Sequence, residues 1–264
     1  LAYQLLFIFL ATGTDATIAL IGGADITANF RPGTMAISIG MLLSALAMTW
    51  HLVHFHYVKF NKESMYEVSK KIILLCIPLL LSAQFIAGIL NEALDLTDTN
   101  QELFISMSHN IFGVLSIAIV VPILEEVLFR GAIEGHLLRK GWSPKWAILV
   151  SALIFGIIHG NPAQIPFAFL IGLLFGWLYY RTGSLVPGIV GHIINNSFGA
   201  WTMFTATREE LSQTTMETLG TTITYILLVL AIIVFIGMYL YLNKYLPKPT
   251  NIQVKAINEQ DITI

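Results

Sequence analysis

Long apolar segments, each about twenty residues in length, are the feature that most constrains this chain, because a helix of roughly 20 apolar residues crosses a bilayer. About eight such segments can be placed, and the first is interrupted by Asp15. They lie near 1–20, 34–53, 72–90, 111–130, 145–160, 165–180, 185–203 and 222–243. The sequence therefore predicts an all-α protein, a polytopic membrane helical bundle of about eight transmembrane helices.

Composition excludes several other classes of protein. Of the 264 residues, 56% are hydrophobic and only 11% are charged, whereas soluble domains carry about 25% charged residues. Fourteen Lys and Arg against 16 Asp and Glu give a net charge of −2, which offers no basic surface for nucleic acid. Cys76 is the single cysteine, so a disulfide framework and Cys-based zinc modules are excluded. Membrane lipid is therefore a predicted partner, and no nucleic-acid partner is predicted.

Basic residues indicate the orientation, because Lys and Arg accumulate in short cytoplasmic loops. Alternate connections hold 12 of the 14: Lys59, Lys62, Lys70, Lys71, Arg130, Arg139, Lys140, Lys145, Arg181, Lys244, Lys248 and Lys255. The opposite connections hold Arg31 and Arg208. We therefore predict an integral membrane protein with both termini in the cytoplasm. The single cysteine and the lack of a soluble domain in the sequence favour a bacterial plasma membrane. Seven helices with an outside start fit the same charge pattern.

Charged residues interrupt the fourth apolar segment, where Glu125, Glu126 and Arg130 lie within two helical turns. Each charge near the centre of a spanning helix costs about 2.5–3.5 kcal/mol on insertion scales. Glu126 and Arg130 stand four residues apart with the acid first, the favourable order for an ion pair. Glu125 is then the less compensated carboxylate. A purely structural ion-pair cluster is the alternative reading.

Two further helices carry polar groups. The fifth segment ends at His159, and the seventh places His192 and Asn196 four residues apart on one face, with Asn195 predicted to face elsewhere. Such groups normally face the bundle interior and one another. Because His192 follows Pro187 closely, the three sites can meet only if its helix begins deeper in the membrane or the short connection 181–184 dips inward.

The three polar sites together suggest water activation by a carboxylate. A shielded glutamate can act as a general base, a histidine can position the same water, and Asn or His can stabilise an oxyanion. These groups predict a candidate intramembrane hydrolase. A small proton-coupled transporter would also explain buried ionisable groups, and the His192–Asn196 pair could be an interhelical hydrogen-bond clasp.

Three motifs then support a family resemblance. Glu125-Glu126-Val-Leu-Phe-Arg130 matches EExxxR, Phe155-Gly-Ile-Ile-His159 matches FxxxH, and His192-Ile-Ile-Asn195-Asn196 matches HxxxN. In this order the sequence resembles the CPBP intramembrane proteases, or Abi family. That family includes type II CaaX prenyl proteases and bacteriocin-processing or self-immunity proteins.

The resemblance implies a glutamate-type endopeptidase whose site opens towards the cytoplasm and acts on a peptide or membrane-anchored protein. It implies a general base at Glu125, water positioning by His159 and an oxyanion site at His192 and Asn196. Glu126 and Arg130 would fix the helical turn. A catalytically silent immunity or regulatory protein is the main alternative.

The family has also been described as metal-dependent. Two His and one Glu could hold zinc, but the chain has no His-Glu-x-x-His motif, and we predict no cofactor. Around this site, Gly131 to Gly135 and Gly172 to Gly176 are expected to permit close helix approach, while Glu134 and His136 could line the entry.

Four regions are predicted along the chain. Residues 1–110 form N-terminal transmembrane helices, 111–203 the CPBP/Abi-like catalytic core and 204–246 a C-terminal transmembrane helix. Residues 247–264 are polar with two prolines at the start, which predicts a flexible cytoplasmic tail.

Overall fold

The computed structural model describes residues 2–21, 33–58 and 68–246, and this part of the chain contains helices and no strands. The predicted tail at 247–264, together with Arg31, Lys59 and Lys62, lies outside the described residues. The helices are α1 (Ala2–Ile21), α2 (Thr34–His54), α3 (Lys70–Glu92), α4 (Gln101–Ser108), α5 (Ile111–Arg139), α6 (Pro144–Ile158), α7 (Ile165–Thr182), α8 (Val186–Thr205), α9 (Arg208–Ser212), α10 (Thr215–Leu219) and α11 (Thr221–Tyr245).

Each predicted apolar segment contains one long helix, so the helical membrane bundle is confirmed. Five of the described helices are long and apolar enough to cross a membrane, namely α2, α3, α5, α7 and α11. Helix α6 is apolar but shorter. Helix α8 has the length, with 20 residues, but His192, Asn195 and Asn196 lower its hydrophobicity.

The outer surface is apolar, as a lipid-facing surface must be. Helix α11 has 25 residues, of which only Thr224 and Leu242 are buried. Large side chains such as Ile233 and Ile236 point outward from it and are 60% and 51% exposed. Apolar patches of this extent are rare on soluble monomers, and they fit a helix surrounded by acyl chains.

The interior contains apolar contacts that join helices distant in sequence. Cys76, Leu79 and Leu80 of α3 belong to one cluster with Phe175 and Leu178 of α7. A second cluster joins α2, α5 and the connection between α7 and α8. A further cluster of Phe129, Phe155 and Ala168 joins α5, α6 and α7 next to the polar residues.

Helix α5 departs from regular α geometry in two places. Ser116–Val120 and Val127–Glu134 are π-helical, and the six-residue α-helical stretch between them holds Glu125 and Glu126. Segments of π-helix inside α-helices occur frequently at functional sites. Glu125 and Glu126 therefore lie between two π-helical segments. Their side chains point in other directions than they would on a regular α-helix.

Candidate active site

Arg130 is the centre of the charged cluster on α5. Its Nη1 donates to Glu126 Oε1 at 3.1 Å, which is the ion pair predicted from the four-residue spacing. Its Nη2 donates to the carbonyl oxygen of Gly172 on α7 at 3.1 Å. The guanidinium carbon also lies 4.5 Å from the centre of the Phe155 ring. Arg130 is 1% exposed, so the cluster fixes α5, α6 and α7 together inside the protein.

His192 joins the two motif glutamates. Its Nδ1 lies 3.1 Å from Glu126 Oε1 and its Nε2 lies 3.4 Å from Glu125 Oε2. The connection before α8 is buried at Ser184 and Leu185, while its depth in the bilayer stays a prediction. Both ring nitrogens face carboxylates here, so an oxyanion role for His192 stays a prediction.

The two adjacent glutamates have different environments. The side chain of Glu126 is 1% exposed and is paired with Arg130, whereas that of Glu125 is 19% exposed. Glu125 lines a cavity of about 380 Å³, and Glu126 is not among the residues lining it. Only Glu125 can therefore meet a substrate and water in this cavity without rearrangement.

His159 stands at the end of α6 and lines the same cavity. Its Nδ1 lies 2.7 Å from the carbonyl oxygen of Phe155. A carbonyl oxygen only accepts hydrogen bonds, so the proton is on Nδ1, and Nε2 of the neutral ring carries the lone pair. That nitrogen can accept a hydrogen bond from a water molecule.

Asn196 is held by an acceptor that the local sequence leaves free. Pro122 has no N–H, so the π-helical bond that residue 122 would donate to Ile117 cannot form. The Nδ2 of Asn196 donates to that Ile117 carbonyl at 2.9 Å. Its Oδ1 accepts from Asn195 Nδ2 at 3.0 Å. The prediction that Asn195 faces elsewhere is wrong, because both amides line the cavity.

The six predicted site residues therefore fall into two groups. Glu125, Glu126, Arg130 and His192 form a continuous chain of charged contacts. His159 and Asn196 lie on the wall of the cavity that also contains Glu125 and His192. Their chemical roles stay predictions.

Several residues near the site had no assigned role in the sequence analysis. Phe155, the first residue of FxxxH, contacts Arg130, His159 and His192 with its ring. Its place in the motif was the signal that could have identified it.

Glu134 is fully buried and His136 is exposed. Neither residue lines the cavity, so the prediction that they line its entry is wrong.

Glycines make room for the charged groups. A Cβ on Gly188 would lie 2.5 Å from Glu126 Oε2, and one on Gly176 would lie 2.7 Å from Glu134 Oε2. A Cβ on Gly172 would lie 3.2 Å from Arg130 Nη2. Gly172 and Gly176 thus accommodate the charged face of α5 in addition to permitting close helix approach.

The donor set does not fit a metal in this arrangement. Across residues 2–21, 33–58 and 68–246, no group of three His, Cys, Asp or Glu side chains is placed to hold a metal ion. Both nitrogens of His192 face carboxylates, and Nδ1 of His159 is used by a backbone carbonyl. We therefore derive no step through a metal.

Sequence comparisons match the segment of the chain that carries these residues. Residues 107–198 match a family model described as Rce1-like, type II CAAX prenyl endopeptidase. All three motifs lie in that range. The central segment of this chain is therefore similar to the type II CAAX prenyl endopeptidases. The resemblance predicted from the motifs is therefore confirmed.

Curated proteins similar to this chain come from Bacillus subtilis, Staphylococcus aureus and Lactococcus lactis. YdiL of Bacillus subtilis, which is named as a membrane peptidase, is 38% identical over 31% of this chain and 33% of its own length. The membrane-embedded CAAX protease MroQ of Staphylococcus aureus is 33% identical over 38% of this chain and 42% of its own. The UPF0177 protein YxdF of Lactococcus lactis is 28% identical over 46% and 63%. The chain thus spans less than two thirds of these relatives, and no solved structure matches it.

Proposed function

We propose that this chain is an intramembrane endopeptidase that hydrolyses a peptide bond with a water molecule activated by Glu125. The observation that carries the proposal is the placement of Glu125 at the wall of a 380 Å³ cavity, with its carboxylate 3.4 Å from His192. The Rce1-like segment and the names of YdiL and MroQ support the same reaction class.

The proposed hydrolysis needs one water molecule and the residues of the site. The Glu125 carboxylate takes a proton from water while the water oxygen attacks the peptide carbonyl carbon. His159 Nε2 accepts a hydrogen bond from that water and orients it. The tetrahedral intermediate then collapses, the C–N bond breaks, and the proton passes from Glu125 to the leaving amine. The products are a new carboxyl terminus and a new amino terminus.

The remaining site residues support these groups. The second N–H of Asn196 is available to donate to the carbonyl oxygen as it becomes an oxyanion, and donors in a water-poor site are worth most. His192 and the Glu126–Arg130 pair hold Glu125 in position through the contacts described above. We also propose that the helix ends rich in Lys and Arg lie on the cytoplasmic side of a bacterial plasma membrane.

Cleavage of membrane-anchored peptides by the purified protein tests the proposal. Glu125→Gln keeps the shape of the side chain and removes the base, so cleavage should fall about 10²–10⁴-fold. His159→Ala should also lower it. Glu209→Gln changes an exposed carboxylate outside the cavity and is the matched control. Cleavage that persists in folded Glu125→Gln would contradict the assignment of the base.

A further inference from the structure

Asn195 lines the active-site cavity next to Asn196, and the proposed hydrolysis gives it no task. Its Nδ2 donates to Oδ1 of Asn196 at 3.0 Å, while Nδ2 of Asn196 donates to the Ile117 carbonyl at 2.9 Å. The two amides therefore form a short hydrogen-bonded chain that leads from α8 to the first π-helical segment of α5. Both side chains are half-buried and belong to the wall of the cavity.

The Ile117 carbonyl fixes the direction of both hydrogen bonds. A carbonyl oxygen only accepts, so Asn196 must turn its Nδ2 towards Ile117 and its Oδ1 towards Asn195. That Oδ1 is also an acceptor, so Asn195 must be the donor in the bond between the two amides. The assignment of nitrogen and oxygen in both side chains thus follows from hydrogen-bond chemistry.

The bond to Ile117 alone does not fix the plane of the Asn196 amide. The terminal torsion of an asparagine side chain has broad wells, so an amide held at one N–H can still turn about that contact. The bond from Asn195 to Oδ1 is a second point of attachment. With both bonds in place, the second N–H of Asn196 has a single direction.

The plane of this amide matters because its two ends act oppositely on a developing negative charge. The second N–H of Asn196 is the donor proposed for the oxyanion, whereas a free Oδ1 would repel that charge. The bond from Asn195 keeps Oδ1 occupied. It also polarises the amide, since hydrogen bonds in a chain strengthen one another.

Resting on the proposed endopeptidase function, we propose that Asn195 is a positioning residue for the hydrolysis and acts through Asn196. It holds the Asn196 amide so that the free N–H faces the tetrahedral intermediate. A structural role in helix packing does not account for this bond, because Asn195 and Asn196 belong to the same helix. The contact between α8 and α5 is made by the Asn196–Ile117 bond.

The kinetics of Asn195→Leu on a membrane-anchored peptide test this role. Leucine keeps the branched shape of the side chain, removes the donor and suits a membrane helix. We expect kcat to fall at least about tenfold with KM within about twofold, because the oxyanion donor acts in the transition state. Asn195→Ala is a second variant without the donor and should show the same split between kcat and KM.

Thr202→Val is the matched control on the same helix. The Thr202 hydroxyl donates to the Phe198 carbonyl of α8 at 3.0 Å, and Thr202 does not line the cavity. This substitution also replaces a polar side chain by an apolar one of similar shape. We expect its kcat and KM to stay within about twofold of those of the unchanged protein.

A double-mutant cycle identifies the group through which Asn195 acts. Asn196→Leu should lower kcat about 10²–10³-fold, because it removes an oxyanion donor. Adding Asn195→Leu to Asn196→Leu should change kcat by less than about twofold. If the two losses multiply instead, Asn195 acts independently of Asn196 and the proposal is overturned.

The remaining outcomes separate this proposal from the endopeptidase function. Asn195→Leu and Asn195→Ala with unchanged kcat, or with a raised KM alone, would overturn the role of Asn195 and leave the endopeptidase function standing. An equal loss of kcat in Thr202→Val would do the same. If the unchanged protein cleaves no anchored peptide, the endopeptidase function fails, and the role of Asn195 fails with it.

Discussion

Two adjacent glutamates acquire different tasks because their surroundings differ. Glu126 is buried against Arg130 and His192, whereas Glu125 reaches the cavity wall. A buried ion pair of this kind adds little net stability, because desolvation offsets much of the attraction. The pair matters here for geometry, because Glu126 holds the His192 ring that contacts Glu125.

Gly188→Ala tests this geometric role without removing any charged group. The new Cβ would lie 2.5 Å from Glu126 Oε2, so the carboxylate must move and the contact with His192 must change. Misplacement by about 1 Å can cost about 10²-fold in rate, and we expect a loss of at least tenfold in kcat/KM for a cleaved peptide.

Gly199→Ala is the matched control for this substitution. It lies on the same helix with nothing within 4 Å of the new Cβ, and it should raise stability by a few tenths to about 1 kcal/mol because alanine favours helix. Equal losses of activity in Gly188→Ala and Gly199→Ala would argue against a specific role for Glu126.

Metal removal is a second test at the residue scale. Three of the four imidazole nitrogens of His159 and His192 face protein acceptors. We expect cleavage after dialysis against a strong chelator to stay within about twofold of the untreated rate, measured with the same anchored peptide. Activity that is lost and then restored by zinc would require these histidines to rearrange around a metal.

At the scale of elements, side-chain hydrogen bonds tie the connection after α6 to the segment before α4. Asn161 is fully buried and accepts from the Thr99 N–H at 3.1 Å while donating to Asp98 at 2.7 Å. Asn91 of α3 donates to the Ala163 carbonyl at 2.9 Å. The α6–α7 connection, and with it His159, is thereby held against the chain that leads into α4.

Asn161→Ala should loosen this connection. It removes the hydrogen bonds of Asn161 with the exposed Thr99 N–H and with the half-buried Asp98 carboxylate, and each such bond contributes about 0.5–1.5 kcal/mol net. We expect faster amide hydrogen exchange over residues 95–104 and a lower unfolding temperature in detergent. Pro162→Ala changes an exposed neighbour and should leave both unchanged. Unaltered exchange in Asn161→Ala would show that other contacts hold the α6–α7 connection in place.

At the scale of the whole molecule, the protein inverts the arrangement of a soluble globule. Charged groups such as Glu126, Arg130 and Glu134 are buried in the centre, and large aliphatic side chains cover the outside of α11. The inverted arrangement is stable only where lipid replaces water around the apolar surface.

Ile233→Lys tests this arrangement because the sign of its effect depends on the surroundings. Ile233 is 60% exposed at the midpoint of α11, and a lysine at the centre of a spanning helix costs about 2.5–3.5 kcal/mol. We expect a reduced fraction of integrated protein in a membrane-insertion assay. Gln213→Lys, between α9 and α10, should insert normally. An aqueous surface would instead tolerate Ile233→Lys.

The sequence by itself determined the bundle, its long helices and the Glu126–Arg130 pair, because apolar length and i,i+4 spacing are local properties. It also picked out His159, His192 and Asn196, since polar groups in apolar helices must face the interior. Only the tertiary structure decided that His192 bridges two glutamates, that Asn196 is held by the carbonyl that Pro122 leaves free, and that Asn161 ties the connection after α6 to Asp98. Those contacts join residues about 60 to 80 positions apart, and their geometry depends on how whole helices pack.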